Sequence, residues 1–213
     1  MDKELVCIVG CGWVGKALAT ELESSFAVEC IDRDNISKQH SLQSCKSLII
    51  SIPPRGNYLD SLKSLLKLAS KDVQIIFYSS ISFYKNRELI VDGEKLVKSL
   101  APNATILRLG GLMGYDRVAG KYTAGKTIKD STSNYIHRDD VVAITKLIIE
   151  QKIENRTLDL VAPKQALKSK IFANNAKKFG FKQTTFSGFE ENTPLSLDLN
   201  YQFKKESVLE FWQ

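Results

Sequence analysis

The chain has 213 residues, of which 43% are hydrophobic and 25% are charged, and its net charge at neutral pH is +6. This length suits one domain with a sizeable core, and the composition is that of a folded protein rather than a disordered one. It contains no apolar run of about 18 residues and no basic stretch interleaved with aromatics, so the sequence predicts neither a membrane partner nor a nucleic-acid partner.

The four cysteines are Cys7, Cys11, Cys30 and Cys45, and their spacing matches no common zinc site. We therefore expect no bound metal. The N-terminus has no basic segment followed by an uninterrupted apolar stretch, which predicts no signal peptide and a cytoplasmic location. In that compartment we expect the thiols to stay reduced.

The first 32 residues have the pattern of a dinucleotide-binding unit. An apolar run over residues 5–9 predicts a buried strand, and the spacing G-x-G-x-x-G follows at Gly10, Gly12 and Gly15. Apolar residues at four-residue spacing then predict a helix, and residues 26–31 predict a second strand that ends at Asp32. This order predicts a phosphate-binding loop at the N-terminus of a helix.

Each position of this unit has a physical role. Gly10 permits the sharp turn, Gly12 leaves room for a pyrophosphate, and Gly15 lets the helix pack closely on the strand. Asp32 accepts hydrogen bonds from an adenosine ribose and repels a 2′-phosphate, which favours NAD, whereas the next residue, an arginine, suits the phosphate of NADP. We assign cofactor binding here to Gly10, Gly12, Trp13, Val14, Gly15, Asp32 and Arg33.

Downstream, strands and helices alternate, which predicts an α/β fold with a Rossmann-type, doubly wound parallel sheet. Residues 33–46 are polar and too few for a full strand-and-helix unit, so this part of the sheet looks trimmed. Residues 115–133 lack a clear period and predict a loop over the cofactor site, and 181–213 predict no element. Strands are expected over 47–52, 73–77, 104–109 and 157–161, and helices over about 58–69, 87–100, 139–148 and 167–179.

In such sheets ligands bind outside the carboxyl ends of the strands, where the strand order reverses. Those ends also include Ser51, Ile52, Pro53 and Ser79, which we assign to cofactor binding, and we expect the strand ends to converge on one cleft. The expected organisation is a single NAD(P)-binding domain over 1–213. A minor substrate-side lobe would come from about 112–133 and 163–213.

Four patches of the chain resemble the extended short-chain dehydrogenases/reductases, the NAD-dependent epimerase/dehydratase family. Within that family the chain is most similar to the atypical bacterial epimerase-like proteins. The resemblance implies a nicotinamide cofactor, a nucleotide-sugar-like or small carbonyl substrate contacted by Gly111 and Lys126, and a homodimer. The patches, in family order, are Ile8–Gly15, Phe77–Tyr84, Leu107–Gly114 followed by Ala124-Gly125-Lys126, and Asn134–Val141.

Catalysis in that family uses a Ser or Thr together with a Tyr and Lys spaced Y-x-x-x-K. Ser80, four residues before Tyr84, matches the family's catalytic hydroxyl, but the helix predicted over 87–100 contains no Tyr. Two Y-x-x-x-K matches begin at Tyr122 and Tyr201, too late in the chain to serve. The candidate catalytic residues are therefore Ser80 and Tyr84, with Tyr84 as a substitute proton donor.

Two functions from different classes stay open. The first is an oxidoreductase or epimerase of the epimerase/dehydratase type. The second is a catalytically inactive dinucleotide-binding sensor or partner module, which the missing Tyr/Lys pair suggests. Turnover of a carbonyl or sugar-nucleotide substrate that is lost in Ser80→Ala would separate them.

Overall fold

The computed structural model describes residues 3–32 and 36–210, which form two compact units. The first unit comprises the described residues up to Arg108 together with Val141–Leu158. The second comprises Leu109–Asp140 and the described residues from Asp159 onward.

Strands and helices of the first unit alternate as the hydrophobic pattern predicts. The strands are β1 Leu5–Val9, β2 Ala27–Ile31, β3 Ser47–Ile50, β4 Gln74–Ser80, β5 Thr105–Leu109, β6 Gly111–Met113, β7 Thr127–Asp130, β8 Tyr135–His137, β9 Thr157–Leu160 and β10 Thr185–Phe189. The α-helices are α1 Trp13–Leu22, α2 Tyr58–Leu68, α3 Glu88–Leu100, α4 Arg138–Glu150 and α5 Lys168–Phe179. Three 3-10 helices cover Ile36–Gln43, Ile81–Lys85 and Lys121–Thr123.

A six-stranded parallel sheet in the order β2-β1-β3-β4-β5-β9 confirms the predicted fold class. From β1 the chain runs outward to β2 and then returns to β3 on the other side, so the strand order reverses around β1. Val9 is in register with Ile31 of β2 and with Ile50 of β3. The residues that follow these three positions therefore leave the sheet at the same level of its carboxyl edge.

One hydrophobic core lies between this sheet and helices α2 and α3. One face of α2 is buried because its apolar residues recur at helical spacing, at Tyr58, Leu62, Leu65 and Leu66. They pack with alternate side chains of the strands, including Cys7, Val9, Leu48, Ile50, Ile75, Phe77 and Ile106.

Strand β2 forms one end of the sheet, and the described residues after it contain no further strand before β3. The described part of this connection contains the 3-10 helix Ile36–Gln43. This confirms the trimmed segment, because a polar connection of that length cannot supply another buried strand and its crossover helix.

The second unit contains two short parallel pairs, β6 with β8 and β7 with β10. Strand β7 corrects the prediction of a plain loop over 115–133, and β10 gives an element to the unassigned tail. Neither strand was visible in the pattern, because only Ile128 of β7 and Phe186 of β10 turn an apolar side chain toward the small core. That core consists of Met113, Ala162, Ile171, Phe172 and Val208.

Helix α4 begins at Arg138, so Asp139 and Asp140 lie in its first turn rather than capping it as predicted. Asp140 is fully buried and its carboxylate accepts hydrogen bonds from the Tyr201 hydroxyl at 2.8 Å and the Lys204 backbone N–H at 2.7 Å. The carboxylate thus fixes the tail onto the helix start.

Gly180 ends α5 in the left-handed conformation, with φ 69°, as its position after the last apolar residue predicts. None of the helices within residues 3–32 and 36–210 has the length and apolarity needed to span a membrane.

Candidate functional site

The glycine loop connects β1 to α1 with the close contacts expected of a phosphate-binding turn. Gly10 has φ 94°, and a Cβ there would lie 2.5 Å from the Ser51 carbonyl oxygen. A Cβ at Gly15 would lie 2.7 Å from the Gly10 carbonyl oxygen. Both positions therefore require glycine for packing: one brings β1 against the chain after β3, and the other brings the helix against the loop.

Gly12 differs from Gly10 and Gly15 because, apart from its two chain neighbours, no atom of the described residues lies within 4 Å of a Cβ built on it. Its φ of −77° is negative, so neither packing nor the left-handed conformation that favours glycine explains this residue. The absent side chain instead leaves an open space in front of the loop. That space is what the approach of a ligand to the backbone needs.

Gly12 is also the N-cap of α1, and as a glycine it supplies no capping side chain to this helix end. The first turn contains no acidic residue. The first-turn N–H groups of a helix lack intrahelical acceptors, and the helix dipole adds partial positive charge there. The open space therefore faces an end of a helix that is suited to an anionic group such as a phosphate.

Asp32 follows β2 at the carboxyl edge of the sheet and is half-buried. Since Val9 pairs with Ile31, Asp32 leaves the sheet at the level of Gly10, and the Gly10 N–H donates to the Ile31 carbonyl at 2.8 Å. The acidic side chain thus follows directly from a strand that is bonded to the loop. Arg33 lies outside the described residues.

A disulfide between Cys11 and Cys30 corrects the expectation that all thiols are reduced. Cys11 is the residue between the first two glycines, and Cys30 lies on β2, opposite Ile8 in register. The Cα atoms are 5.7 Å apart. The sequence spacing gave no sign of this bond, since the two residues meet only because β1 and β2 are neighbours. Cys7 and Cys45 are buried free thiols.

The ends of β3 and β4 supply the other residues assigned to cofactor binding. Ser51 and Ile52 are half-buried, Pro53 is exposed, and the Ser51 N–H donates to the Val9 carbonyl at 2.8 Å. The Ser79 hydroxyl donates to a Glu94 carboxylate oxygen at 2.6 Å. Ser79 is therefore held in a side-chain network, and its hydroxyl proton is already used.

That network centres on a buried ion pair between Glu94 of α3 and Arg108 of β5. Arg108 Nε and Nη2 donate to the two Glu94 oxygens at 2.9 and 2.8 Å. Glu94 is only 1% exposed and Arg108 only 8%. Burial opposes the Arg108 charge, but Glu94 and a hydrogen bond to Tyr84 raise the pKa of the guanidinium. Arg108 thus stays cationic in an apolar setting.

Tyr84 forms a hydrogen bond with the same guanidinium that Glu94 binds. Arg108 Nη1 donates to the Tyr84 hydroxyl oxygen at 2.9 Å, and the guanidinium carbon lies 3.6 Å from the centre of the Phe83 ring. The Tyr84 side chain is 43% exposed. It therefore presents a phenol to solvent while its oxygen is held by a buried positive charge.

Ser80 begins the 3-10 helix that carries Tyr84. Its hydroxyl oxygen accepts a hydrogen bond from the Ser82 N–H at 3.1 Å, which caps that helix, and the side chain is half-buried. The structure thus places Ser80 at the end of β4 and Tyr84 on the short 3-10 helix that follows it.

In the second unit, the residues assigned to substrate have local structural contacts. Gly111 donates its N–H to the Asn134 carbonyl at 2.8 Å, and a Cβ there would overlap the Tyr135 ring, so packing accounts for this glycine. Lys126 is exposed, and its carbonyl accepts from the Thr185 N–H at 3.0 Å.

The tyrosines of the two late Y-x-x-x-K matches lie in different surroundings. Tyr122 is 80% exposed, whereas the Tyr201 hydroxyl is bonded to Asp140. His137 is 3% exposed, and burial lowers its pKa against the opposing charges of Asp139 and Asp140. Its Nδ1 accepts the Asp139 N–H at 3.2 Å, as a neutral imidazole does.

Glu94 and Arg108 were missed as a pair, although each carries a readable signal. Arg108 is a single charge in the apolar strand TILRL, and Glu94 shares the buried face of α3 with Ile90 and Val97. Charges at such positions are rarely buried unless they are paired. Within the described parts of the chain, no group of three or more His, Cys, Asp or Glu side chains is arranged to hold a metal.

No protein-family model matches the chain. Protein YeeZ of Escherichia coli strain K12 is 24% identical over 235 residues, covering 85% of this chain and 86% of YeeZ.

Three solved structures resemble the chain at low sequence identity. A short-chain dehydrogenase/reductase superfamily protein from Agrobacterium tumefaciens with bound NAD is 14% identical with a TM-score of 0.75, covering 97% of this chain and 95% of that one. UDP-glucuronic acid 4-epimerase from Bacillus cereus, in complex with a fluorinated UDP-glucuronic acid and NAD, is 17% identical with a TM-score of 0.74, covering 97% and 96%. TunA, an NAD-dependent NDP-hexosamine 5,6-dehydratase, is 13% identical with a TM-score of 0.76, covering 98% and 95%. The chain therefore has the fold of these proteins, as the sequence resemblance implies.

Proposed function

We propose that the chain binds a nicotinamide dinucleotide at the glycine loop, with NAD preferred over NADP. The observation that carries this proposal is the open position at Gly12, the N-cap of α1, which supplies no capping side chain of its own. A glycine that neither packing nor φ demands is explained by a ligand that must approach the backbone. An anion at a helix N-terminus is a favourable ligand.

The loop residues divide the work of holding the cofactor. The backbone N–H groups of Trp13, Val14 and Gly15 bind the pyrophosphate, and the Asp32 carboxylate accepts hydrogen bonds from the adenosine ribose. The negative charge of Asp32 disfavours a 2′-phosphate, which is the basis of the NAD preference. Ser51, Ile52 and Pro53 flank the cofactor at the neighbouring strand end. When bound, the nicotinamide supplies a hydride acceptor or donor.

Catalysis, in this proposal, uses the phenol of Tyr84 for proton transfer to or from a substrate oxygen. The hydrogen bond from Arg108 stabilises negative charge on the phenol oxygen, which is the role that a lysine has in the resembling family. Ser80 orients the same substrate oxygen. The reaction class is oxidoreduction or epimerisation at a hydroxyl- or carbonyl-bearing carbon.

A nucleotide-sugar-like substrate is the class that the similar structures favour. Two of them are named as enzymes of nucleotide sugars, a UDP-glucuronic acid 4-epimerase and an NDP-hexosamine dehydratase. A small carbonyl compound is the simpler alternative, since the same proton and hydride transfers apply to it.

A second candidate is a dinucleotide-binding module without catalysis. Glu94 takes two hydrogen bonds from Arg108 and neutralises its charge, so less of that charge acts on Tyr84. Helix α3 also contains no tyrosine that could replace Tyr84. In this case the cofactor, rather than a product, is the signal.

Calorimetric titration with the oxidised and reduced forms of NAD and NADP tests the binding proposal. Gly12→Val should fold normally but weaken NAD binding at least about tenfold, because the side chain fills the phosphate space. Thr20→Val, at an exposed position of the same helix, should bind like the parent. Equal NAD affinity in Gly12→Val and the parent contradicts the proposal.

Turnover separates the two candidates once binding is established. The protein is incubated with NAD or NADH and with UDP-glucose, UDP-glucuronic acid or small aldehydes, and products are followed by absorbance and chromatography. Turnover that Ser80→Ala abolishes supports the enzyme. Intact binding with no turnover of any of these substrates supports the module.

A further inference from the structure

The Cys11–Cys30 disulfide joins the two parts of the proposed cofactor site. Cys11 lies inside the glycine loop, next to Gly12, and Cys30 lies two residues before Asp32 on β2. Asp32 directly follows β2, so Cys30 lies on the strand that leads to this carboxylate. The bond therefore ties the phosphate-binding part of the site to the ribose-binding part.

Exposure distinguishes Cys30 from the other cysteines, all four of which lie in described parts of the chain. Cys7, Cys45 and Cys11 are only 0%, 3% and 5% exposed, whereas Cys30 is half-buried. Hydrogen bonding to Cys45 and burial raise the pKa of Cys7, which keeps that thiol protonated and unreactive. Cys30 is thus the sulfur that a small thiol or disulfide reaches first.

Breaking the bond releases the loop from β2, and the contacts around the loop define which of its positions can then move. The two sulfur atoms must then separate to van der Waals contact. Gly10 cannot take up this movement, because the Ser51 carbonyl fills the space beside it and its N–H is bonded to Ile31. Gly12 makes no such close contact with the described residues beyond its chain neighbours, so it is the loop position with room to move.

We propose that Cys11 and Cys30 form a reversible thiol–disulfide site that sets the affinity of the glycine loop for a dinucleotide. This inference rests on the proposed function. The disulfide form holds the phosphate-binding and ribose-binding groups in one arrangement before the ligand arrives. The dithiol form must order the loop on binding and therefore binds more weakly.

The exchange balances with a low-molecular-weight disulfide of the glutathione class as oxidant. The Cys30 thiolate attacks one sulfur of the small disulfide, which forms a mixed disulfide and releases one small thiol. The Cys11 thiolate then attacks the Cys30 sulfur, which closes the Cys11–Cys30 bond and releases the second small thiol. Two electrons pass from the protein to the small disulfide, and the two cysteine protons end on the two small thiols.

NAD titration of the full chain in both redox states tests this inference. One sample is equilibrated with oxidised glutathione and the other with dithiothreitol, and alkylation followed by intact mass counts the free thiols. We expect two free thiols in the oxidised protein and four in the reduced protein. The oxidised protein should bind NAD about tenfold more tightly.

Two variants assign the effect to this pair. Cys30→Ser should bind NAD weakly under both conditions, like the reduced parent. Cys45→Ala removes a buried thiol outside the pair and should keep the difference between the two conditions. Circular dichroism at the titration temperature verifies that every sample is folded.

The outcomes separate this inference from the function on which it rests. Equal NAD affinity in the two redox states, or four free thiols after oxidation, overturns the inference and leaves the cofactor proposal standing. Absence of binding in both states overturns both. A redox difference that persists in Cys30→Ser also overturns the inference.

Discussion

At the scale of single residues, the proposed proton transfer depends on which groups form hydrogen bonds with Arg108. Its guanidinium is bonded to both oxygens of Glu94 and to the Tyr84 hydroxyl, so one buried cation supports an ion pair and a phenol together. The Glu94 bonds keep Arg108 in place. In the reaction that we propose, the remaining Nη1 bond is the one that stabilises a Tyr84 phenolate.

Replacing Tyr84 with phenylalanine tests the assigned proton transfer. We expect turnover to fall about 100-fold or more, since a positioned acid or base contributes on that order. NAD affinity should be unchanged, because the phenol lies outside the glycine loop. Steady-state rates and calorimetry measure the two effects, and Tyr122→Phe, at a side chain that is 80% exposed, is the matched control. Full activity in Tyr84→Phe would remove Tyr84 from the mechanism.

His137 predicts a pH dependence of stability. Burial lowers the pKa of this imidazole in the folded chain. When the pH falls toward the ordinary histidine pKa near 6.5, the unfolded state therefore binds more protons than the folded state. The free energy of unfolding should therefore decrease as the pH falls from about 7.5 through that value. Urea denaturation across this range measures the slope.

The chain has two histidines, which provides a control for this prediction. His40 is exposed, so His40→Gln should retain the loss of stability on acidification, whereas His137→Gln should reduce it. Proton NMR titration of the two ring signals gives an independent reading. A His137 midpoint at or above the ordinary histidine value would contradict the prediction.

At the scale of elements, the packing of α3 on α2 reverses a rule of helix propensity. Gly93 sits inside α3, where alanine would normally stabilise the helix by up to about 1 kcal/mol. A Cβ there would lie 2.8 Å from the Tyr58 hydroxyl oxygen and 2.9 Å from a ring carbon. Tyr58 is only 4% exposed and cannot swing away into solvent.

Gly93→Ala should consequently destabilise the protein by about 1–3 kcal/mol, the usual cost of overpacking. The free energy of unfolding from urea denaturation gives the value. Ser99→Ala, at an exposed position of the same helix, should be neutral or slightly stabilising. A gain of stability in Gly93→Ala would show that the two helices adjust to the extra methyl group.

At the scale of the whole molecule, the disulfide is expected to contribute to stability as well as to binding. It joins residues separated by 19 positions. A ring of that size lowers the conformational entropy of the unfolded chain, which stabilises the folded state by about 3 kcal/mol. Reduction or Cys30→Ser should lower the melting temperature. Cys45→Ala, measured by calorimetry under both redox conditions, should keep the difference in melting temperature between the oxidised and the reduced protein. An unchanged melting temperature on reduction would show that the bond adds no stability.

Much of the first unit follows from local sequence. The strand, the glycine spacing, the helix and Asp32 all lie within 32 consecutive residues, and burial there follows from a period of two or of 3.6. The parallel sheet then follows from the alternation of strands with helices. The 3-10 helix Ile36–Gln43 agrees with a segment too short for another strand and crossover.

The sequence by itself determined the fold class, the glycine loop and the absence of a Tyr/Lys pair on α3. Only the tertiary structure decided which distant residues meet: Cys11 with Cys30, Glu94 with Arg108, and β7 with β10. The physical reason is that periodicity along the chain encodes which face of an element is buried. The identity of the partner depends instead on which elements the topology makes neighbours, and no local spacing records that.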